Sequence, residues 1–210
     1  MAIRAVMFDF GGVISTSPFD AFAHLEAERG LPAGFIRSVN ATNPDDNAWA
    51  RLERNELGVE EFAAAWAAEA RALGHELDGR LVLARLSGDI RPQMVAAIDS
   101  CRHQGYKTAC LTNNFASPDR VVSEEVAEVY ALFDAVLESR VLGVRKPDPR
   151  FYEQACAALG VEPEESVFLD DLGVNLKPAR ALGMHTIKVG DPDEALAELA
   201  RMLGHTVVDD

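Results

Sequence analysis

The chain has 210 residues, 48% of them hydrophobic, and a formal net charge of −14 at pH 7. That size suits one domain, or one core with an insert, and the acidic balance argues against a general nucleic-acid role, which needs a basic face, and against anchoring to anionic lipid. An anionic substrate would need local positive charge from a metal, a lysine or a helix N-terminus. No run reaches the roughly 20 apolar residues of a membrane span. The apolar stretch near the start is too short for a signal peptide and is interrupted by Asp9. Cys101, Cys110 and Cys156 are widely spaced without a CxxC and read as reduced core thiols, and the five histidines show no metal-ligand spacing. A cytoplasmic location is the expectation. Oligomeric state is not legible, and a homodimer is left open.

In chain order, Ala5-Val6-Met7-Phe8 is an apolar run that ends abruptly in Asp9. Such a run suits a parallel strand buried on both faces. Gly11 and Gly12 follow, where backbone can turn tightly and approach a ligand. Ser17 and Pro18 read as N-cap and first position of a helix carrying Phe22 and Leu25, ended by Gly30-Leu31-Pro32. A short helix is expected over Ala33 to Val39, and a loop over Asn40 to Asp46. A third helix holds Trp49, Leu52, Glu53 and Glu56 and closes at Gly58. Val59 to Leu73 is the strongest helix of this region, with Phe62 and Trp66 at i, i+4. A last one spans about Asp78 to Leu86, so no strand pattern interrupts the stretch from Phe19 to Gly88.

Beyond Ile90 the pattern alternates. Pro92 to His103 is an amphipathic helix stopped by Gly105, and Lys107 to Leu111 is a strand running into Thr112-Asn113-Asn114. A helix follows around Asp119 to Tyr130, then a strand from Phe133 to Leu137 and a loop from Arg140 to Pro149. Gly143 serves the geometry of that loop, and Asp148 reads as a turn residue. Phe151 to Leu159 is a helix, Ser166 to Leu169 a strand ending at Asp170-Asp171, and Leu176 to Leu182 a helix. His185 to Val189 is a fifth strand, and Asp193 to Leu203 the closing helix. Strands alternating with helices predict right-handed βαβ units and a parallel sheet.

Four groups fall at strand C-termini or in the loops beyond: Asp9, Thr112 with Asn113, Lys146, and Asp170 with Asp171. This set resembles the haloacid dehalogenase superfamily, a group dominated by phosphatases. The resemblance implies an α/β Rossmann-like core over residues 1–16 and 89–210, and an all-helical cap over 17–88. Leu111-Thr112-Asn113-Asn114, Arg145-Lys146-Pro147-Asp148 and Phe168-Leu169-Asp170-Asp171-Leu172-Gly173-Val174-Asn175 resemble the branch that holds the N-terminal phosphatase domain of soluble epoxide hydrolase and matching acyl-CoA dehydrogenase domains.

In the family's terms Asp9 is the nucleophile, Thr112 the hydroxyl residue, Lys146 the lysine and Asp170-Asp171 the acidic pair. The residue types suit phosphoryl transfer, which depends on positioning and electrostatics. A carboxylate attacking a phosphate is repelled unless a cation intervenes, and Mg²⁺ is the expected cofactor. Asp9 and Asp170 are the expected direct ligands, with the Gly11 carbonyl as a third and Asp171 acting through water. Gly11, Gly12, Thr112, Asn113 and Lys146 are the expected phosphate and substrate contacts, Asn113 on the leaving-group side. Asn175 is expected to position Lys146 or the metal loop.

One position departs from the pattern. Most phosphatases of this superfamily carry a second aspartate two residues after the nucleophile, where this chain has Gly11. That general acid–base typically contributes about 10²–10⁴-fold in rate. Ser15, Thr16 and Asp20 are substitutes only by nearness in sequence. The expected activity is therefore hydrolysis of a small phosphorylated substrate with weakened acid–base help. The alternatives are a 2-haloacid dehalogenase-like hydrolase, or an impaired module that binds Mg²⁺ and phosphate.

Overall fold

A computed structural model describes residues 2–116 and 122–207. Among these, β1 (Ala5–Phe8), β2 (Lys107–Thr112), β3 (Ala135–Glu138), β4 (Ser166–Asp170) and β5 (His185–Lys188) form one parallel sheet in the order β3-β2-β1-β4-β5. The register sets Phe8 opposite Cys110 on one side and Leu169 on the other.

Side chains alternate across a strand, so the unbroken apolar run of β1 serves two cores. Val6 and Phe8 join Cys110, Val167, Leu169 and Ile187 under α6 (Pro92–His103) and α11 (Pro192–Leu203). Ala5 and Met7 join Ala109, Leu111 and Phe168 under α9 (Pro149–Leu159) and α10 (Gly173–Ala181). All three cysteines are free and buried. Burial pushes the thiols of Cys101 and Cys156 up to about 12 and about 11, which leaves them protonated and inert.

Between β1 and α6 lie α1 (Phe19–Glu28), α2 (Phe35–Ala41), α3 (Ala48–Glu53), α4 (Val59–Ala72) and α5 (Gly79–Leu83). They pack around their own apolar cluster, centred on Phe22, Leu52, Phe62, Trp66 and Val82. The two connections to this block run side by side. Thr16 N donates to Asp89 O at 2.9 Å, Asp89 N to Thr16 Oγ1 at 3.0 Å, and Arg91 N to Ile14 O at 2.8 Å.

Several boundaries differ from expectation. α1 begins at Phe19, not Pro18: Pro18 already has helical angles, and its carbonyl accepts from Phe22 N at 2.9 Å. α3 stops at Glu53 because Asn55 turns left-handed at φ 60°, which leaves Glu56 outside to pair with Arg54. The loop after β3 holds a four-residue helix, α8 (Ser139–Leu142), closed by Gly143 at φ 64°. Asp148 is more than a turn residue, since its carboxylate caps α9 by accepting from Arg150 N at 3.0 Å. α10 starts three residues early, and Asn175 is therefore helical. The expected helix from Asp119 appears as α7 (Glu124–Tyr130), capped by Ser123, and the first part of that expectation lies outside the described residues. No helix among the described residues is long and apolar enough to cross a membrane.

Candidate active site

The chain lays β2 and β3 to one side of β1 and then returns to place β4 and β5 on the other. Such a reversal opens a crevice at the carboxyl ends of the strands. Asp9 follows β1, Thr112 ends β2, Asp170 ends β4, and Asp171 comes next. Lys146 arrives from the loop between α8 and α9.

Lys146 Nζ lies 2.8 Å from Asp9 Oδ1 and 2.8 Å from Asp170 Oδ2, with its side chain only 1% exposed. Its ammonium also lies 5.3 Å from the centre of the Phe168 ring. Burial alone would lower the lysine pKa, but the Asp170 and Asp9 charges outweigh it and hold the group above its usual range. Burial pushes Asp9 well above the ordinary carboxylate value while Lys146 pulls it back. The two upward shifts meet on one proton inventory: two acids share the lysine, so the ammonium keeps its charge.

A further ring of bonds fixes these groups. Asp170 is fully buried, and its carboxylate accepts from Asn175 Nδ2 at 3.1 and 3.0 Å and from Leu172 N at 2.8 Å. Asn175 thus positions the acid of the acidic pair, and Tyr152 Oη in turn donates to Asn175 O at 2.7 Å. Phe10 N donates to Asp9 Oδ1 at 2.7 Å. Asn113 differs from expectation. Its amide is spent on the Lys146 backbone, donating to Lys146 O and accepting from Lys146 N, both at 2.9 Å. A side chain doubly bound in this way orients the lysine loop instead of reaching toward a leaving group. Thr112 is buried at the end of β2, opposite Glu138 in register. Asn114 N donates to Ser139 Oγ at 2.9 Å, which ties the loop after β2 to α8.

The donor set fits a hard divalent cation. Asp9, Asp170 and Asp171 each bring an oxygen to within 4.8 Å of the others. Three carboxylates against one ammonium leave the cluster short of positive charge. Burial and the adjacent Asp170 push the Asp171 carboxyl up to about 6, against the pull of Lys146 and Arg91. All-oxygen, carboxylate-rich donors suit Mg²⁺.

Gly12 and Gly11 differ in what they permit. Gly12 has φ +82°, and a Cβ there would lie 2.3 Å from Asp171 Oδ2, so only glycine lets the acid come this close. Gly11 is exposed, and a Cβ built on it meets nothing within 4 Å. Of the groups near it in sequence, Ser15 Oγ lies 3.4 Å from Phe10 O and from Thr16 O, and Thr16 Oγ1 accepts from Asp89 N. Both hydroxyls serve the connections to the helical block, and Asp20 is exposed in the first turn of α1.

Two features escaped the sequence reading. Arg91 Nη1 donates to Gly12 O at 2.7 Å and Val13 O at 3.2 Å, pinning the turn after β1. Arg145 Nε donates to Glu53 Oε2 at 2.6 Å, joining the lysine loop to α3. The position of Arg145 beside Lys146 was the available signal, but nothing in the sequence named a partner 92 residues away.

This arrangement belongs to a haloacid dehalogenase-like hydrolase, and the chain is a member of that family, whose model matches residues 3–183. The chain is 35% identical to acyl-CoA dehydrogenase family member 10 of Mus musculus, over 96% of this chain and 19% of that protein. It is 32% identical to bifunctional epoxide hydrolase 2 of Sus scrofa, over 97% of this chain and 39% of that protein. It therefore spans well under half the length of both. Phosphatase MT3486 of Mycobacterium tuberculosis is 33% identical over 90% of this chain and 88% of its own. Among solved structures, a HAD-like hydrolase of Porphyromonas gingivalis superposes with a TM-score of 0.64 at 25% identity, covering 97% of this chain and 98% of that one. A dehalogenase solved as an intermediate complex gives a TM-score of 0.66 at 21% identity, covering 96% of this chain and 97% of that one, which speaks to the fold alone.

Proposed function

We propose that the chain is a Mg²⁺-dependent phosphatase that cleaves a small phosphorylated metabolite through an aspartyl phosphate on Asp9. The observation that carries this reading is the meeting of Asp9, Asp170 and Asp171, with the buried ammonium of Lys146 against the first two. The likeness to a phosphatase of similar length supports it. Three buried free cysteines suit a reducing, cytoplasmic setting.

Asp9 and Asp170 would hold Mg²⁺ directly, with the Gly11 carbonyl, and Asp171 would act through water. When bound, the ion screens the repulsion between the attacking carboxylate and the substrate anion. Lys146, the Thr112 hydroxyl and the backbone N–H groups around Gly11 and Gly12 bind phosphate oxygens, while Asn113 holds the Lys146 backbone. An Asp9 oxygen attacks phosphorus, the bond to the leaving oxygen breaks, and that oxygen takes a proton from water. Water then attacks phosphorus, the bond to Asp9 breaks, inorganic phosphate departs, and the released proton passes to solvent. With Gly11 in place of an acid, neither proton transfer has a dedicated side chain. The helical block over residues 17–88 acts as a cap that excludes water and selects the substrate.

The test is hydrolysis of p-nitrophenyl phosphate and of 2-chloropropionate, each with and without Mg²⁺. Phosphate release that needs Mg²⁺ is expected. Halide release without metal would replace this reading with a dehalogenase, in which the acidic pair has no cation to hold.

A further inference from the structure

A chain of contacts runs from the core of the helical block to Lys146. Trp49 sits edge-on to Phe22 and Phe62, with ring centroids 6.5 and 5.8 Å away. Its Nε1 donates to Glu53 Oε1 at 2.9 Å, which leaves Glu53 Oε2 to receive Arg145 Nε at 2.6 Å. Arg145 Nη1 also donates to Pro44 O at 3.1 Å, so two guanidinium donors land on the block. The pair is well shielded, with side chains 18% and 9% exposed for Arg145 and Glu53. Solvent therefore screens it far less than a surface pair. Arg145 directly precedes Lys146, whose backbone is gripped by Asn113, and Phe115, two residues beyond Asn113, packs against the apolar cluster of the block. The segment that follows Thr112 and the loop that carries Lys146 are thus both fastened to the helical block.

We infer that Glu53 is a positioning residue: by holding the Arg145 guanidinium it fixes the loop that carries Lys146 and couples the seating of the helical block to the placement of that ammonium. The kinetic part of this inference rests on the phosphatase reading, and the structural part does not. Glu53→Gln keeps the size of the side chain and an oxygen that can accept from Trp49 Nε1, but it turns an NH₂ donor toward Arg145 and so removes both the charge and the acceptor that the guanidinium needs.

The experiment compares wild type with Glu53→Gln by hydrogen exchange over residues 43–56 and 140–149, and by steady-state kinetics on p-nitrophenyl phosphate with Mg²⁺. Exchange should quicken in both segments. A misplaced Lys146 weakens the transition state, so kcat should fall about tenfold while KM changes less than about threefold. Arg145→Met, which breaks the pair from the other side, should reproduce both effects, and it stands in if Glu53→Gln does not fold. Faster exchange confined to 43–56, or a rise in KM at constant kcat, would overturn the inference. If wild type releases no phosphate, the phosphatase reading fails, and the exchange comparison still decides whether Glu53 holds the lysine loop.

Discussion

Gly11 and Gly12 stand side by side and answer to different constraints. Gly12 is held by backbone angle and by the approach of Asp171, whereas Gly11 faces open space. Substitution should separate them. Gly12→Ala strains a left-handed position and pushes on Asp171, so it should cost about 1–3 kcal/mol of stability and weaken Mg²⁺ binding measured by calorimetry. Gly11→Asp places a carboxyl where the general acid–base of related enzymes stands, and the space accepts it. Wild type should favour aryl and acyl phosphates far over alkyl phosphates, because the leaving group departs unassisted. Gly11→Asp should flatten that dependence and raise alkyl phosphate turnover about tenfold or more. A flat dependence in wild type would mean that another side chain already supplies the proton. Asp9 and the acidic pair stood out in the sequence because each lies where an apolar strand ends, whereas Lys146, in the loop between α8 and α9, stood out only through the resemblance of its motif. The duty of Asn113 could not, since its amide answers to the Lys146 backbone 33 residues on.

At the scale of elements, the sheet was legible because helices cover both faces and leave unbroken apolar runs. The block helices were legible through their spacing, as in Phe62 and Trp66, both fully buried. Phe62→Ala should cost about 3–5 kcal/mol in denaturant unfolding, whereas Leu73→Ala, at a position 41% exposed, should stay within about 0.5 kcal/mol. Equal costs would mean that the apolar cluster of the block is not a packed core. Helix ends were harder to place, because they depend on tertiary partners. The carboxylate of Glu26 is buried and accepts from Gly34 N at 2.7 Å and Ile36 N at 2.8 Å, closing the turn into α2. A buried glutamate eight and ten residues ahead of its partners leaves no local signature. α8 escaped because four residues are too few to show a period.

For the whole molecule, alternation of strands and helices implied a parallel sheet but not its order. Order follows from which helix covers which face, and it is this order that puts β1 in the middle and brings Asp9 and Asp170 to the ends of neighbouring strands. A chain of net charge −14 that handles an anion must concentrate positive charge locally. Lys146 and a bound cation would do so where Asp9, Asp170 and Asp171 converge. The helical block then matters through its two connections and through Glu53, which reaches the lysine loop from the far side. In the proposed reaction Asp9 attacks phosphorus. That attack is tested by the intact-protein mass of enzyme quenched during turnover of an acyl phosphate with Mg²⁺. A gain of one phosphoryl group is expected, mapped to the peptide containing Asp9 and absent in Asp9→Asn, together with loss of turnover in that variant. Wild-type turnover in Asp9→Asn, with no phosphorylated species in either protein, would contradict it.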